Sequence, residues 1–433
     1  MKSINIGLVG AGTVGGGVVK ILARKLAVFR EQLGLDLRLA RIAEKDAARL
    51  AGLPVGDAVL SQRAEDVLGD DAIDIVVELI GGTTVARDVV LQALARRKHV
   101  ITANKALIAE HGPELFAASE RAHVSLYFEA SVGGGMPAIK TIREALVGND
   151  VVSIKTIING TCNYILTQMG AHGWTFAQAL GEAQRLGYAE AEPSLDVEGR
   201  DAGHKVAIMA SLVHGGYVPF DKLPIEGITA IAAEDIAFAA ELGYCIKLLG
   251  IIRKDGSDQA VDVRVHPAML HRTHILASVS GVFNAVLLEG DAVGPILLYG
   301  RGAGELPTAS AVVSDIVDVA RNIVSGKPLR ISMDYYAHDN TLALKSIEDI
   351  EARYYLRFSV IDQPGVLAAI ASALGQQGIS IASVMQKELD HPEYVPVIFL
   401  THQARERAVR AAVAEVERAP FVRCKTQLIR IEE

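Results

Sequence analysis

One run of six residues near the start constrains this chain more than any other feature. Residues 4–9 read as a short apolar strand, and Gly10-Ala11-Gly12-Thr13-Val14-Gly15 comes directly after it. A helical pattern then runs through Val18, Val19, Ile21 and Leu22. This is G-x-G-x-x-G between a strand and a helix. Gly10 permits the tight turn, Gly12 lets the backbone approach a pyrophosphate, and Gly15 lets helix and strand pack closely. The helix N-terminus adds free N–H groups and the positive end of its dipole for the phosphates. A plain tight βα turn would carry the same glycines, so the pattern of strands and helices beyond residue 22 has to decide between the two.

The alternation continues. Residues 35–42 form a second strand, 73–79 a third that ends in Ile80-Gly81-Gly82-Thr83, and 99–102 a fourth that ends in Ala103-Asn104-Lys105. Between the third and fourth lies a helix through Val89, Val90, Leu91 and Leu94. Half of the chain is hydrophobic but only 5% is aromatic, and there are 40 glycines. An aliphatic, glycine-rich makeup suits buried parallel strands with tight turns. The expectation is a Rossmann-type doubly wound parallel sheet with right-handed crossovers, ligands lying at the carboxyl ends of its strands. Gly81, Thr83 and Lys105 lie at such ends. At the end of the second strand Glu44 stands beside Lys45. An acid there accepts from a ribose 2′-hydroxyl and favours NAD, whereas a cation favours the 2′-phosphate of NADP. Both choices stay open.

The middle of the chain carries the substrate chemistry. A strand over 125–129 leads into Ala130-Ser131-Val132-Gly133-Gly134-Gly135-Met136-Pro137, and an apolar helix runs on through Ile139, Ile142 and Leu146. Three glycines expose backbone oxygens that can hold an ion. Asn159-Gly160-Thr161-Cys162-Asn163 reads as a polar turn capping a helix, with Thr161 as the cap and Cys162 as a packing residue. Further on, Glu190, Glu192, Asp196 and Asp201 cluster ahead of Lys205. From residue 196 onward the pattern is helical, so Asp201 and Lys205, four apart, share a face. That face continues to apolar Ile208 and Met209, which turns it inward. A lysine carried inward beside carboxylates has the ingredients of a tuned acid/base group, and the acids suit a substrate ammonium group. A solvated ion pair beside an acidic loop fits the same residues. His204 is turned about 100° away and reads as structural.

Other classes are excluded by composition. The formal net charge is −8 and no basic stripe stands out, which argues against nucleic acid. Three scattered cysteines, Cys162, Cys245 and Cys424, suggest neither a disulfide framework nor a zinc site. The N-terminus lacks a signal-peptide core, and no run of about 18 uncharged apolar residues suggests a membrane span. A cytoplasmic enzyme is expected.

These motifs, taken in order, resemble the homoserine dehydrogenase family over residues 1 to about 330. They are residues 10–15, Glu78-Leu79-Ile80-Gly81-Gly82, Thr102-Ala103-Asn104-Lys105-Ala106, 129–137, 159–166, 187–205 and Gly300-Arg301-Gly302-Ala303-Gly304-Glu305-Leu306-Pro307-Thr308-Ala309. The resemblance implies NAD(P)-dependent interconversion of L-aspartate-4-semialdehyde and L-homoserine, in threonine and methionine synthesis. It implies Lys205 as proton donor, Glu190 and Asp201 as ligands of the substrate, and Lys105 as a bridge between cofactor and substrate. Gly10, Gly12, Thr13, Val14, Gly15, Lys45, Gly81, Thr83, Gly187 and Gly302 match cofactor-side positions. Glu129 and the backbones of Val132, Gly134 and Met136 match a monovalent cation site, usually sodium. The family often has Arg where this chain has Lys45, which leaves the cofactor choice open.

The last eighty residues form a separate pattern. Strands at 354–360, 378–381, 395–400 and 422–431 alternate with helices in a β-α-β-β-α-β order, which is ferredoxin-like. Asp362-Gln363-Pro364-Gly365-Val366-Leu367 resembles the turn of an ACT domain, an amino-acid-sensing module. That resemblance implies feedback regulation, threonine being the expected effector, held near Asp362, Gln363, Gly365, Val366 and Leu367 between paired modules. A dimerisation unit without ligand is the alternative. Three domains are thus expected: a dinucleotide-binding domain (1–130, completed by about 305–330), an α+β substrate and dimerisation domain (131–304) and an ACT domain (350–433). A homodimer or homotetramer is expected. Two rivals are another NAD(P)-dependent dehydrogenase with an ACT tail and a non-catalytic sensor on a decayed scaffold. The first lacks the middle motifs and the second should have lost Lys205 or Asp201.

Overall fold

The computed structural model describes residues 2–254, 260–327, 340–386 and 394–433. The chain divides into two compact units. The first comprises Met1–Gly160, Asp201–Leu223 and Val282–Ala343, and the second Thr161–Arg200, Pro224–Gly281 and Leu344–Glu433.

The first unit is built on a six-stranded parallel sheet. Its strands are β1 (Ser3–Val9), β2 (Asp36–Ala43), β3 (Val59–Ser61), β4 (Ile75–Glu78), β5 (His99–Thr102) and β6 (Leu126–Tyr127). Their order is β3-β2-β1-β4-β5-β6. The order reverses between β1 and β4, and a crevice for a ligand opens at such a switch point. Helices α1 (Thr13–Leu33), α2 (Ala64–Leu68), α3 (Thr84–Ala95) and α4 (Lys105–Ala122) connect the strands.

The doubly wound expectation is met, and the core shows what closes it. Ile4, Ile6 and Leu8 of β1 pack with Val18 and Leu22 of α1 and with Val312, Ile316 and Val319 of the helix Glu305–Val324. The two helices meet closely at Gly17, where a Cβ would lie 2.7 Å from the carbonyl oxygen of Glu305 and 2.9 Å from the Ala309 Cβ. Only glycine lets those helices approach so closely. Residues 328–330, at the end of the stretch expected to complete the nucleotide domain, lie outside the described residues. Three antiparallel strands complete this unit: Val151–Ile157, Phe283–Gly290 and Gly294–Arg301, with Phe283–Gly290 in the middle.

Two local expectations fail here. The strand expected to run to residue 129 stops at Tyr127, and Glu129 begins a 3-10 turn, Glu129–Ser131. The hydroxyl of Ser131 donates to the carbonyl of Phe128 at 2.6 Å, and such a local bond competes with strand pairing. The apolar helix beyond it is broken into Ala138–Lys140 and a π-helical turn, Thr141–Ala145.

In the second unit, Tyr244–Arg253 and Asp262–His271 form an antiparallel pair. Gln427–Glu432 runs parallel to Asp262–His271 and antiparallel to Glu351–Val360. Val395–Thr401 and Ile381–Gln386 come next, moving outward. Helices Val366–Gln376 and Glu406–Glu417 cover one face of these strands. Tyr354, Leu356 and Phe358 meet Ile370, Leu374 and Val409 there. This is the expected β-α-β-β-α-β order. On the opposite face Arg357 makes two hydrogen bonds to Asp235, at 2.6 and 2.9 Å, and the Tyr355 hydroxyl donates to the same carboxylate at 3.1 Å. Asp235 belongs to the helix Ala233–Glu241. Arg430, fully buried, bonds Glu226 and Glu406.

Thr161 corrects a further expectation. It lies inside the helix Gly160–His172, and its hydroxyl donates to the carbonyl of Tyr188 at 2.7 Å. It caps nothing because the loop ahead of the substrate-side acids claims its side chain. Among the described residues no helix is long and apolar enough to cross a membrane.

Candidate functional site

The glycine turn is shaped as its sequence requires. Gly10 adopts a φ of 95°, and a Cβ there would lie 2.7 Å from the carbonyl oxygen of Leu79. At Gly15 a Cβ would fall 2.1 Å from the carbonyl oxygen of Gly10. The turn is therefore a cradle that side chains would fill, and it opens onto the N-terminus of α1, with Thr13 exposed and Val14 half-buried. These are the features a dinucleotide pyrophosphate needs. Gly81 and Thr83 stand at the carboxyl end of β4, Thr83 leading into α3.

The two candidates at the end of β2 separate clearly. Glu44 is buried, and its carboxylate accepts from the backbone N–H of Ala11 at 2.6 Å and of Asp46 at 3.0 Å. It ties β2 to the glycine turn. Lys45 is exposed. Arg49, which the sequence alone did not single out, reaches the same turn: its Nη1 lies 3.4 Å from the position of a Cβ at Gly12.

Three candidate residues converge. The helix Arg200–His214 places Asp201 and Lys205 one turn apart, as their spacing predicts. Lys205 Nζ donates to Asp201 Oδ2 at 2.7 Å and to the carbonyl of Ile158 at 2.9 Å. Lys105, the first residue of α4, brings its Nζ to 3.0 Å from Asp201 Oδ1. Asn159 Nδ2 donates to Asp201 Oδ2 at 2.8 Å. Asp201 and Lys205 are buried, while the Lys105 side chain is 43% exposed. Burial works to raise the Asp201 carboxyl, but Lys205, Lys105 and Asn159 outweigh it and hold the group well below the usual carboxylate range. The pair is therefore no solvated surface contact. Asn159 was visible only as part of a capping turn. Its partner lies 42 residues away, and spacing carries no sign of that.

His204, next to Lys205 in sequence, points elsewhere. It stacks on Phe220 with ring centroids 4.1 Å apart and contacts Glu110 at 3.1 Å. Burial lowers its pKa. Gly187 and Glu190 belong to the second unit, on an exposed loop.

The glycine-rich loop after β6 is buried over residues 129–134. The Glu129 carboxylate accepts from the N–H groups of Ile139 and Lys140 at 2.9 and 2.8 Å. Burial pushes this carboxyl up to about 7 against those donors. Gly134 packs backbone against backbone on Gly302: a Cβ would lie 2.5 Å from the Gly302 carbonyl oxygen. In the second unit, the turn holding Asp362, Gln363 and Leu367 is exposed, Val366 is buried, and Gly365 has a φ of 94°.

Comparisons with known proteins agree with this geometry. The family model described as "Homoserine dehydrogenase, NAD binding domain" matches residues 10–129, and that described as "Homoserine dehydrogenase" matches 137–317. An ACT domain model matches 354–418. A homoserine dehydrogenase of Neisseria gonorrhoeae is 42% identical over 434 residues, covering 100% of this chain and 99% of that one. The crystal structure of a homoserine dehydrogenase from Thiobacillus denitrificans is 43% identical, with a TM-score of 0.93 over 100% of this chain and 99% of that one. A hyperthermophilic archaeal homoserine dehydrogenase in complex with NADPH is 27% identical, with a TM-score of 0.63, covering 74% of this chain and 98% of that one. With a nucleotide cradle, a buried lysine–carboxylate cluster and this likeness along its whole length, the chain belongs to the homoserine dehydrogenase family of NAD(P)-binding oxidoreductases.

Proposed function

We propose that Lys105, Asp201 and Lys205 form the catalytic centre for interconverting L-aspartate-4-semialdehyde and L-homoserine. One observation carries the reading: two lysines from different helices meet on a single buried carboxylate. Bound along the glycine turn, NAD(P) supplies the hydride donor or acceptor. Lys205 Nζ gives the proton to the substrate oxygen as it becomes a hydroxyl. Asp201 and the Ile158 carbonyl fix that ammonium in place, so no reorganisation is needed when charge develops on the oxygen. Lys105, half exposed, lies between cofactor and substrate. By family likeness, Glu190 and Asp201 are the ligands of the substrate's amino group and hydroxyl region. Lys205→Ala should lower kcat for homoserine oxidation at least 10²-fold while NADPH binding, followed by its fluorescence, persists. Near-normal turnover in that variant would overturn the assignment.

The end of β2 supports NADP. With Glu44 engaged by Ala11, Lys45 and Arg49 are the cations beside the turn that can meet a 2′-phosphate, Arg49 exchanging its exposed 3.7 Å pairing with Asp46 for it. Replacing both with Ala should raise KM for NADPH about tenfold, the scale of one charged contact, and leave KM for NADH within twofold.

Three further parts belong to the same reading. A monovalent cation, sodium by family likeness, is held by Glu129 and the backbones of Val132, Gly134 and Met136. Threonine is the effector of the ACT module. The chain works as a homodimer or homotetramer, with the domain boundaries expected from its sequence.

A further inference from the structure

Glu78 ends β4 and is fully buried. A buried carboxylate is costly unless its oxygens are satisfied, and here three donors converge on it. Oε1 accepts from the N–H of Ile80 at 2.8 Å and of Gly81 at 3.4 Å, and Oε2 accepts from the Thr102 hydroxyl at 2.6 Å. Thr102 is the register partner of Glu78 on β5, so both side chains stand at neighbouring strand ends. Thr102 Oγ1 in turn accepts from the N–H of Asn104 at 3.0 Å. Asn104 then does two things. Its Nδ2 donates to the carbonyl of Gly82 at 2.6 Å, and its Oδ1 accepts from the N–H of Leu107 at 3.1 Å, capping α4. The first residue of that helix is Lys105, which meets Asp201.

We propose that Glu78, acting through Thr102 and Asn104, is the positioning residue that sets Lys105 against Asp201 and holds the Gly81-Gly82 turn at the cofactor crevice. The inference rests on the assignment of Lys105 and Asp201 to the catalytic centre. Glu78 and Thr102 act by fixing the two strand-end turns to one another, and a displacement of about 1 Å at a reacting centre costs up to 10²-fold in rate.

The test is a double-mutant cycle in the full chain, read as kcat and KM for homoserine oxidation. Thr102→Val keeps the side-chain shape and removes the link. It should lower kcat about tenfold, Thr102→Ser should restore it to within twofold, and Glu78→Gln should fall between. Combined with Lys105→Ala, Thr102→Val should lower kcat no further than Lys105→Ala alone, because the group it positions is gone, while its hold on the Gly81-Gly82 turn is read separately as a raised KM for the cofactor. A multiplicative loss in the double variant, or a Thr102→Val chain with lowered Tm and unchanged kcat, would overturn the proposal. If Lys105→Ala itself leaves turnover unchanged, the reading of the catalytic centre fails instead. Glu78→Ala, which takes the acceptor from the buried Thr102 hydroxyl and from two N–H groups of the turn, is not needed, since the threonine pair carries the test.

Discussion

Protonation of one imidazole should weaken the edge of the parallel sheet. His99 begins β5, is buried, and its Nδ1 accepts from the N–H of Ser125 at 3.0 Å. Burial lowers its pKa to about 4, against the pull of Asp74. The unfolded chain takes up that proton near pH 6.5. Between the two values the unfolded state binds more protons, so stability is intact above pH 6.5 and falls as pH drops toward 4. The full loss is about 3 kcal/mol, from about 2.5 pH units at about 1.36 kcal/mol each. His99→Asn offers an amide oxygen where Nδ1 stood, so its Tm should lose the steep fall between pH 6.5 and 4. Parallel Tm curves for the two chains would refute this. The same scale shows why the two residues at the end of β2 were indistinguishable in sequence. Glu44 and Lys45 are adjacent, and the bond from Glu44 to Ala11, 33 residues away, is what separates the buried acid from the exposed lysine. Asp201 and Lys205 were legible because their partnership is local, one helical turn apart.

Elements carry a second prediction. Asp235 lies beneath the sheet that includes Glu351–Val360, where Arg357 and Tyr355 share its carboxylate. Removing one partner of a buried pair costs about 3–5 kcal/mol. Glu234 also faces Arg357 at 3.4 Å, so Asp235→Ala should fall at the lower end, read as a drop in the urea midpoint at unchanged m-value. A midpoint within error of the parent would show that the pair adds nothing. Most strands and helices were visible from apolar periodicity, including the ferredoxin-like order. What periodicity missed is side-chain capture and long-range pairing: the break at Glu129, where Ser131 bonds back to Phe128, the capture of Thr161 by Tyr188, and the pairing of Gln427–Glu432 with the far-off strand Asp262–His271.

On the scale of the molecule, the last strand decides how regulation can be tested. Gln427–Glu432 is paired on both sides within the second unit, and its Arg430 and Glu432 bury ion pairs with Glu226 and Arg264. Cutting the chain at residue 350 would leave Arg264 and Glu226 without those partners and expose the Asp262–His271 edge. Of its two acid partners, buried Arg264 would keep only Asp262 and the sheet would lose its central pairing, so the truncated chain should lose this unit's cooperative unfolding as well as any response to threonine. The effector is therefore best tested in the full chain. Asp362 lies at the exposed turn before the helix Val366–Gln376, and Leu367 is exposed in that helix's first turn. Threonine should inhibit homoserine oxidation by the parent, and the Asp362→Ala, Leu367→Ala double variant should need at least tenfold more threonine for half-inhibition, about 1.4 kcal/mol of lost affinity. An unchanged half-inhibiting concentration would place the effector elsewhere. A parent chain indifferent to threonine would leave the ACT module a purely structural part of the second unit.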